Sequence, residues 1–191
     1  MIAIIPARGG SRRIPRKNVK EFHGKPIIAH SIETALAYGF KKVYVSTDDD
    51  EIKAVALRHG ADIVGRPADL AADDVGTQEV ARHAIETLLI SNAWPVCVIY
   101  PTAPMMWPVD LERGFQALQK YHTYYAMSVG TEPLRDAGQW YWGRAGAFGH
   151  VPLIAEHTVM VPIPESRVCD INTPEDWEQA LTKYARMHEQ A

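Results

Sequence analysis

The first eighteen residues, MIAIIPARGGSRRIPRKN (1–18), decide how the rest of the chain reads. Ile2–Ile5 is a short continuous apolar run, the pattern of a strand buried on both faces. Pro6 ends it. A loop follows with two glycines, a serine and a dense set of cations. A buried strand that feeds directly into a polar, glycine-bearing loop is the way α/β proteins build a site at the carboxyl edge of a parallel sheet.

The same alternation continues outward from that start. Ile27–Tyr38 has helical spacing and stops at Gly39. Lys42–Thr47 (KVYVST) reads as a strand, and a helix from about Asp49 to His59 closes at Gly60. Ala61–Val64 is a short strand and Thr77–Ile90 a helix. Val96–Tyr100 is a strand, Val109–Tyr121 a helix opening after Pro108, and Tyr124–Val129 another strand. Gln139–Trp142 and Thr158–Val161 are weaker strand patterns. In TPED (173–176) a threonine cap, a proline and two acids announce a final helix. Strand and helix alternate to about residue 130, which predicts a mostly parallel sheet with helices on both faces: an α/β fold, a three-layer α/β/α sandwich. The loops PARGGSRR, STDDD and PTAPMM each follow a strand, so all three are expected on one rim.

Composition bounds the function. The chain has 191 residues, 47% apolar and 23% charged, as in an ordinary globular protein, and reads as a single domain over 1–191. No apolar run reaches the length of a membrane span. The apolar start is too short for a secretion signal, and its basic residues follow instead of preceding it, so the expected compartment is the cytoplasm, with no membrane partner. Cys97 and Cys169 suggest neither a disulfide framework nor a zinc site, and the eight histidines show no metal spacing.

The net charge is −3, unevenly spread. Residues 1–25 carry Arg8, Arg12, Arg13, Arg16, Lys17, Lys20 and Lys25 against Glu21, a local +6 that leaves −9 for the remainder. Cations confined to one loop of an acidic protein point to a compact anion and away from nucleic acid, which asks for a wider basic surface. Gly9 and Gly10 allow backbone N–H groups to approach phosphate oxygens, and Ser11 offers another donor. Arg8, Arg12 and Lys17 have the charge to neutralise a triphosphate. The spacing is neither the GxxxxGK[ST] loop nor the GxGxxG dinucleotide fingerprint.

IIPARGGSRRIPRKN, with GKPIIAHSIETAL, VSTDDDEI, GRPADLAADDVGT, IYPTAP and DINTPEDW after it, resembles the cytidylyltransferases that activate nonulosonic acids, and the resemblance covers most of the chain. Tyr100 ahead of PTAP, and DAGQWYWG (136–143), resemble the pseudaminic acid branch more than the sialic acid branch. The resemblance implies a Rossmann-like fold of the nucleotide-diphospho-sugar transferase type. The reaction it implies joins CTP to a nonulosonic acid, pseudaminic acid first, giving the CMP-sugar and pyrophosphate. CMP-N-acetylneuraminate synthesis is the nearest alternative, and a CTP-binding protein without catalysis is the alternative of another class.

Residue by residue, the implied nucleotide site is Ala7, Arg8, Gly9, Gly10, Ser11, Arg12, Lys17, Asn18, Arg66 and Thr77. Arg8, Arg12 and Lys17 are its catalytic cations, Asn18 a base or ribose contact, and Arg66 and Thr77 the contacts to cytosine. Arg12 stands where the family usually has lysine. Read without the family, Thr77 is a helix cap. Tyr100, Thr102, Asp136, Gln139 and Tyr141 are the sugar candidates. Asp170 and Asn172, two apart, face one side of an extended segment and could offer two oxygens to Mg²⁺. The family usually has aspartate at both positions, and Asn172 or Thr173 also reads as a helix cap. Asp49 or Asp50 reads as the cap of its helix and not as a metal ligand. Only GTEPLR separates Val129 from Asp136, where the family carries a few tens of residues more. The dimerisation arm around 130–150, which supports the expected homodimer, is therefore shortened or missing.

Overall fold

The computed structural model describes residues 1–153 and 155–189. Strand β1 (Ile2–Pro6) is buried at all five positions and lies inside a seven-stranded sheet. A two-residue hairpin follows, β2 (Glu21–Phe22) and β3 (Lys25–Pro26), and then helix α1 (Ile27–Tyr38), closed by Gly39 in the left-handed conformation at φ 95°. Next come β4 (Lys42–Thr47), α2 (Asp50–Arg58), β5 (Asp62–Gly65), α3 (Thr77–Thr87), β6 (Pro95–Ile99) and α4 (Pro108–Lys120). Strands β7 (Tyr125–Thr131), β8 (Leu134–Arg144) and β9 (Thr158–Pro162) precede α5 (Pro174–Glu189).

The sheet order is β5-β4-β1-β6-β8-β7-β9. Because side chains alternate across a strand, Ala3 and Ile5 face one layer and Ile2 and Ile4 the other. The first layer packs on Ile28 and Ile32 of α1, Val55 of α2 and Leu111 of α4. The second packs on Ala81, Ala84 and Ile85 of α3. Helices therefore cover both faces, and the three-layer α/β sandwich expected from the sequence is present. Every strand and helix anticipated from the pattern exists, and all but the eighth strand lie within about three residues of their expected ends.

The mostly parallel sheet holds, with one strand reversed and longer than its pattern suggested. β1, β4, β5 and β6 run parallel, but β8 is antiparallel to both of its neighbours, β6 and β7. It also has eleven residues, where the pattern marked only Gln139–Trp142. The cause is the connection: two residues, 132 and 133, join β7 to β8, and so short a link only reverses a chain. The extra residues at its start include Arg135, Asp136 and Gly138, which carry no apolar alternation. As β8 runs against β6, with Ile99 opposite Trp140, its beginning extends past the carboxyl end of β6 onto the same rim as the loops after β1, β4 and β5.

Helix α5 packs on that rim. Trp177 and Ala180 share a small apolar cluster with Ile14, Phe22 and Ile27, and Phe22 meets the Trp177 ring edge-on at 5.5 Å. This fixes residues 168–173 beside the first loop. Among the described residues no helix is long and apolar enough to cross a membrane.

Candidate active site

The loop after β1 is held mainly by the loop after β4. Ala7 donates its N–H to Ser46 O at 2.9 Å, and Gly9 donates to Asp48 Oδ1 at 3.1 Å. A side chain on Gly9 would place its Cβ 2.4 Å from Asp49 Oδ2, so only glycine fits this approach. Asp49 caps α2 by accepting from the Ile52 N–H at 2.9 Å. It also accepts from Arg16 at 3.0 Å, and Arg16, in the left-handed region at φ 55°, reaches Glu51 as well. This pairing holds the Asp49 carboxyl below its usual value. STDDD is thus a cap and a clamp on the basic loop. The Gly9 amide, expected to face phosphate, is turned to Asp48 instead, and Ala7 and Gly10 do not line the cleft.

The rest of the basic loop borders a cleft of about 480 Å³ at the carboxyl edge of the sheet. Arg8, Ser11, Arg12, Lys17 and Asn18 come from this loop. Arg66 and Thr77 come from the segment after β5, Tyr100 and Thr102 from the segment after β6, and Asp170 and Asn172 from the opposite side. Residues distant in sequence that were assigned to one nucleotide therefore share one cavity.

Several of these side chains are fixed from behind. Asn18 donates to Arg8 O at 2.9 Å, while its own Oδ1 is buried with no hydrogen-bond partner. Such an orphaned acceptor on a cleft wall suits a ligand donor. Lys17 donates to Ile171 O at 2.6 Å, and burial lowers its pKa. Arg66 is buried, donates to Ser46 O at 2.8 Å, and is brought down by burial to about 10, so it stays charged at neutral pH. Thr77 is the first residue of α3, with Gly76 at the cap position, so the expected capping role falls to no side chain. Its hydroxyl accepts instead from Tyr141 at 3.1 Å.

Two side chains that sequence reasoning missed also enter the cleft. Asp73 pairs with both Arg8 and Arg12, the latter at 2.7 Å. Arg13 donates to Asn172 Oδ1 at 3.1 Å. Both lie inside motifs already singled out, but only the fold shows which of several adjacent charges turn inward.

The sugar candidates divide. Tyr100 donates to Asp136 Oδ2 at 3.2 Å, and Asp136 Oδ1 accepts from the Gly138 N–H at 2.8 Å. Asp136 reaches solvent, yet the surrounding protein pushes its carboxyl above the usual range. Gln139 and Tyr141 are about 1% exposed and line no described cavity. They are buried because this part of β8 lies inside the sheet with both of its faces covered, as Trp140 and Trp142 on the other face also show. Gln139 donates to Arg167 O at 2.8 Å, and Arg167 forms a buried fork with Asp110, one arm of 2.9 Å, that ties α4 to the segment before Cys169.

Asn172 donates to Asp170 Oδ2 at 2.6 Å, so the pair does face one side. Thr173 and Asp176 cap α5 reciprocally, at 3.2 and 2.8 Å. Among the described residues no three His, Cys, Asp or Glu side chains come close enough to hold a metal unaided. As oriented, the Asn172 amide turns its N–H₂ to Asp170 and its oxygen to Arg13, so only Asp170 presents oxygen to a cation. A half-turn of that amide, releasing Arg13, brings a second oxygen to a hard cation whose shell phosphate and water complete.

A basic loop at the end of the first strand, facing an acidic segment across a cleft on the carboxyl rim, is where proteins of the α/β class place a ligand site, and its cations suit an anion. The chain belongs to the cytidylyltransferase family, whose model matches residues 2–141. It is 33% identical over 229 aligned positions to the pseudaminic acid cytidylyltransferase of Campylobacter jejuni (serotype O:2), covering 100% of this chain and 98% of that one. With 191 residues here, 38 of those positions have no counterpart in this chain. The N-acylneuraminate cytidylyltransferase of Escherichia coli O18:K1:H7 is 33% identical over 137 residues, 70% of this chain and 32% of that one. In structure, a CMP:2-keto-3-deoxy-manno-octonic acid synthetase complexed with CTP superposes with a TM-score of 0.75 at 18% identity, over 97% of this chain and 98% of that one. The nucleotide-diphospho-sugar transferase type of fold is thereby borne out.

Proposed function

We propose that the protein joins CTP to a nonulosonic acid, pseudaminic acid first, releasing pyrophosphate and the CMP-sugar. One observation carries this reading. Arg8, Arg12, Lys17 and the orphaned Asn18 acceptor share a single cleft with Asp170 and Asn172. Cations for a triphosphate and oxygens for its counter-ion thus meet around one volume.

In the reaction, the hydroxyl oxygen on the sugar's anomeric carbon bonds to the α-phosphorus. The bond from that phosphorus to the pyrophosphate oxygen breaks, and the hydroxyl proton is released. No covalent enzyme intermediate is needed. The work is positioning and charge stabilisation. Arg8, Arg12 and Lys17 hold the triphosphate and stabilise the charge that builds on the leaving pyrophosphate. Asn18 accepts from the nucleoside, and Arg66 and Thr77 read the cytosine edge. Tyr100, Thr102 and Asp136 contact the sugar, while Gln139 and Tyr141 support them from the core. Asp170 and Asn172 are the residues that would hold Mg²⁺, which would screen the phosphate charge.

The compartment we assign is the cytoplasm, in keeping with two free thiols. We assign the homodimer on the family resemblance; its contact does not use a long β7–β8 arm, since that link has two residues.

The test is pyrophosphate release over a panel of nucleoside triphosphates with pseudaminic acid and N-acetylneuraminic acid. Turnover is expected with CTP and pseudaminic acid. Equal turnover with N-acetylneuraminic acid would move the assignment to the sialic acid branch. CTP binding with no pyrophosphate from any sugar at saturating Mg²⁺ would leave a binding protein only.

A further inference from the structure

A second cavity, of about 440 Å³, adjoins the nucleotide cleft, and Asp170 and Asn172 line both. Its other walls come from the start of β8, from Val168 and Cys169, and from one face of α5, where Asp176, Gln179 and Lys183 follow at helical spacing.

The charges in this cavity are not equivalent. Asp176 is committed to its own helix start, accepting from the Asn172 and Thr173 N–H groups at 2.9 and 2.8 Å. Asp136 accepts from Tyr100 and Gly138. Arg135 pairs with Glu165 at 2.7 Å and donates to Pro133 O at 2.9 Å. Lys183 differs. Its ammonium donates to Val168 O at 2.9 Å, and among the described residues it pairs with no carboxylate. An ammonium has three N–H donors, so two remain for a ligand. Lys183 is half-buried, which strengthens its interaction with an anion relative to a fully solvated lysine.

We infer that Lys183 receives the carboxylate of the acidic sugar, and that the second cavity is the sugar subsite. The inference rests on the function proposed above. A nonulosonic acid carries its carboxylate on the same anomeric carbon as the attacking hydroxyl. With the α-phosphate beside Asp170, that carboxylate must lie close to the wall the two cavities share. Lys183 is the cation on the far side of that wall whose charge no carboxylate offsets among the described residues, whereas Arg135 is paired with Glu165. Gln179 and Asp136 are then placed for sugar hydroxyls.

The experiment compares the wild-type protein with Lys183→Met and Lys183→Arg, using pseudaminic acid and its methyl ester as paired substrates. The ester keeps the ring and loses the charge. The wild type is expected to favour the acid in kcat/KM. In Lys183→Met, KM for the acid should rise roughly 10- to 100-fold, the range of a lost charge-assisted hydrogen bond. KM for the ester should stay within about 2-fold. The preference for the acid then collapses, and Lys183→Arg restores part of it. CTP affinity, read by calorimetry, should be unchanged and certifies folding. If KM for acid and ester rises equally in Lys183→Met, or neither rises, the assignment is overturned while the catalytic reading stands. A wild type that binds CTP but turns over neither substrate overturns both.

Discussion

Arg12 Nε lies 2.7 Å from Oδ2 of Asp73, and the same carboxylate also holds Arg8. Two of the cations assigned to the triphosphate are thus already paired with an internal acid. On the function proposed above, Asp73 stands where a phosphate oxygen would be bound, and a nucleotide would displace it. Arg12 is 85% exposed at its side chain, so its part of the pairing is screened and weak. Asp73→Asn is expected to tighten pyrophosphate binding about 2- to 5-fold, an effect of under about 1 kcal/mol, and less at high salt. Calorimetric titration with pyrophosphate at two salt concentrations checks this. Weaker binding would mean that Asp73 orients the arginines instead of competing for them.

Arg12→Ala should raise the KM for CTP at least about 10-fold, because a charged donor to phosphate is lost. Arg12→Lys should keep most activity, since a lysine at this place also delivers a positive charge, though without the bidentate grip. Steady-state kinetics with varied CTP separates the two. Normal kinetics in Arg12→Ala would remove Arg12 from the phosphate site.

Asn172 has its amide oxygen engaged by Arg13 and its amide N–H₂ by Asp170. Replacing it with aspartate adds one negative charge beside Asp170 and an anionic partner for Arg13. Asn172→Asp is expected to keep turnover and to lower the Mg²⁺ concentration for half-maximal rate about 3- to 10-fold. Complete loss of activity would count against a ligand role.

Removing one partner of the buried Arg167–Asp110 fork leaves an uncompensated charge in the interior. Asp110→Asn is expected to cost about 3–5 kcal/mol of stability, read from the midpoint of urea unfolding. A shift below about 1 kcal/mol would show that the pair is less isolated than its 5% and 0% exposures imply.

His30 gives the fold an acid sensitivity. It is 5% exposed, its Nε2 lies 2.9 Å from Phe22 O, and burial pulls its pKa down to about 4. In the unfolded chain its pKa is about 6.5. The unfolded state therefore binds the proton first as pH falls, and stability drops between pH 6.5 and 4, by roughly 2 kcal/mol at pH 4.5. His30→Gln should flatten the urea-midpoint profile over that window. The depressed carboxyls, such as Asp49, act only at lower pH.

Much of this was legible in the chain itself. Apolar runs and helix stops located nearly every element, because continuous burial and capping are local properties. Motif singled out the site residues of the basic loop, Arg66, Thr77, Asp170 and Asn172, and all of these except Ala7, Gly9 and Gly10 of the loop line one cleft. What escaped depends on who faces whom. Asp73 and its neighbour Asp74 look alike in sequence, as do Arg12 and Arg13, and packing alone turns each to its partner. Gln139 and Tyr141 sat in a segment rich in sugar-compatible side chains, but that part of β8 is an interior strand covered on both faces, so both are in the core. The direction of β8 was hidden because its first half is charged and its reversal rests on a two-residue link.

That link has a further consequence. The chain leaves β7 and enters β8 at adjacent points on the surface, so whatever is spliced between them need not disturb the register on either side. Lengthening a loop there costs closure entropy that grows only with the logarithm of its length. The turn at residues 132–133 is therefore a natural acceptor site, where whole lobes can be traded in or out of the same catalytic frame, by evolution or by an engineer.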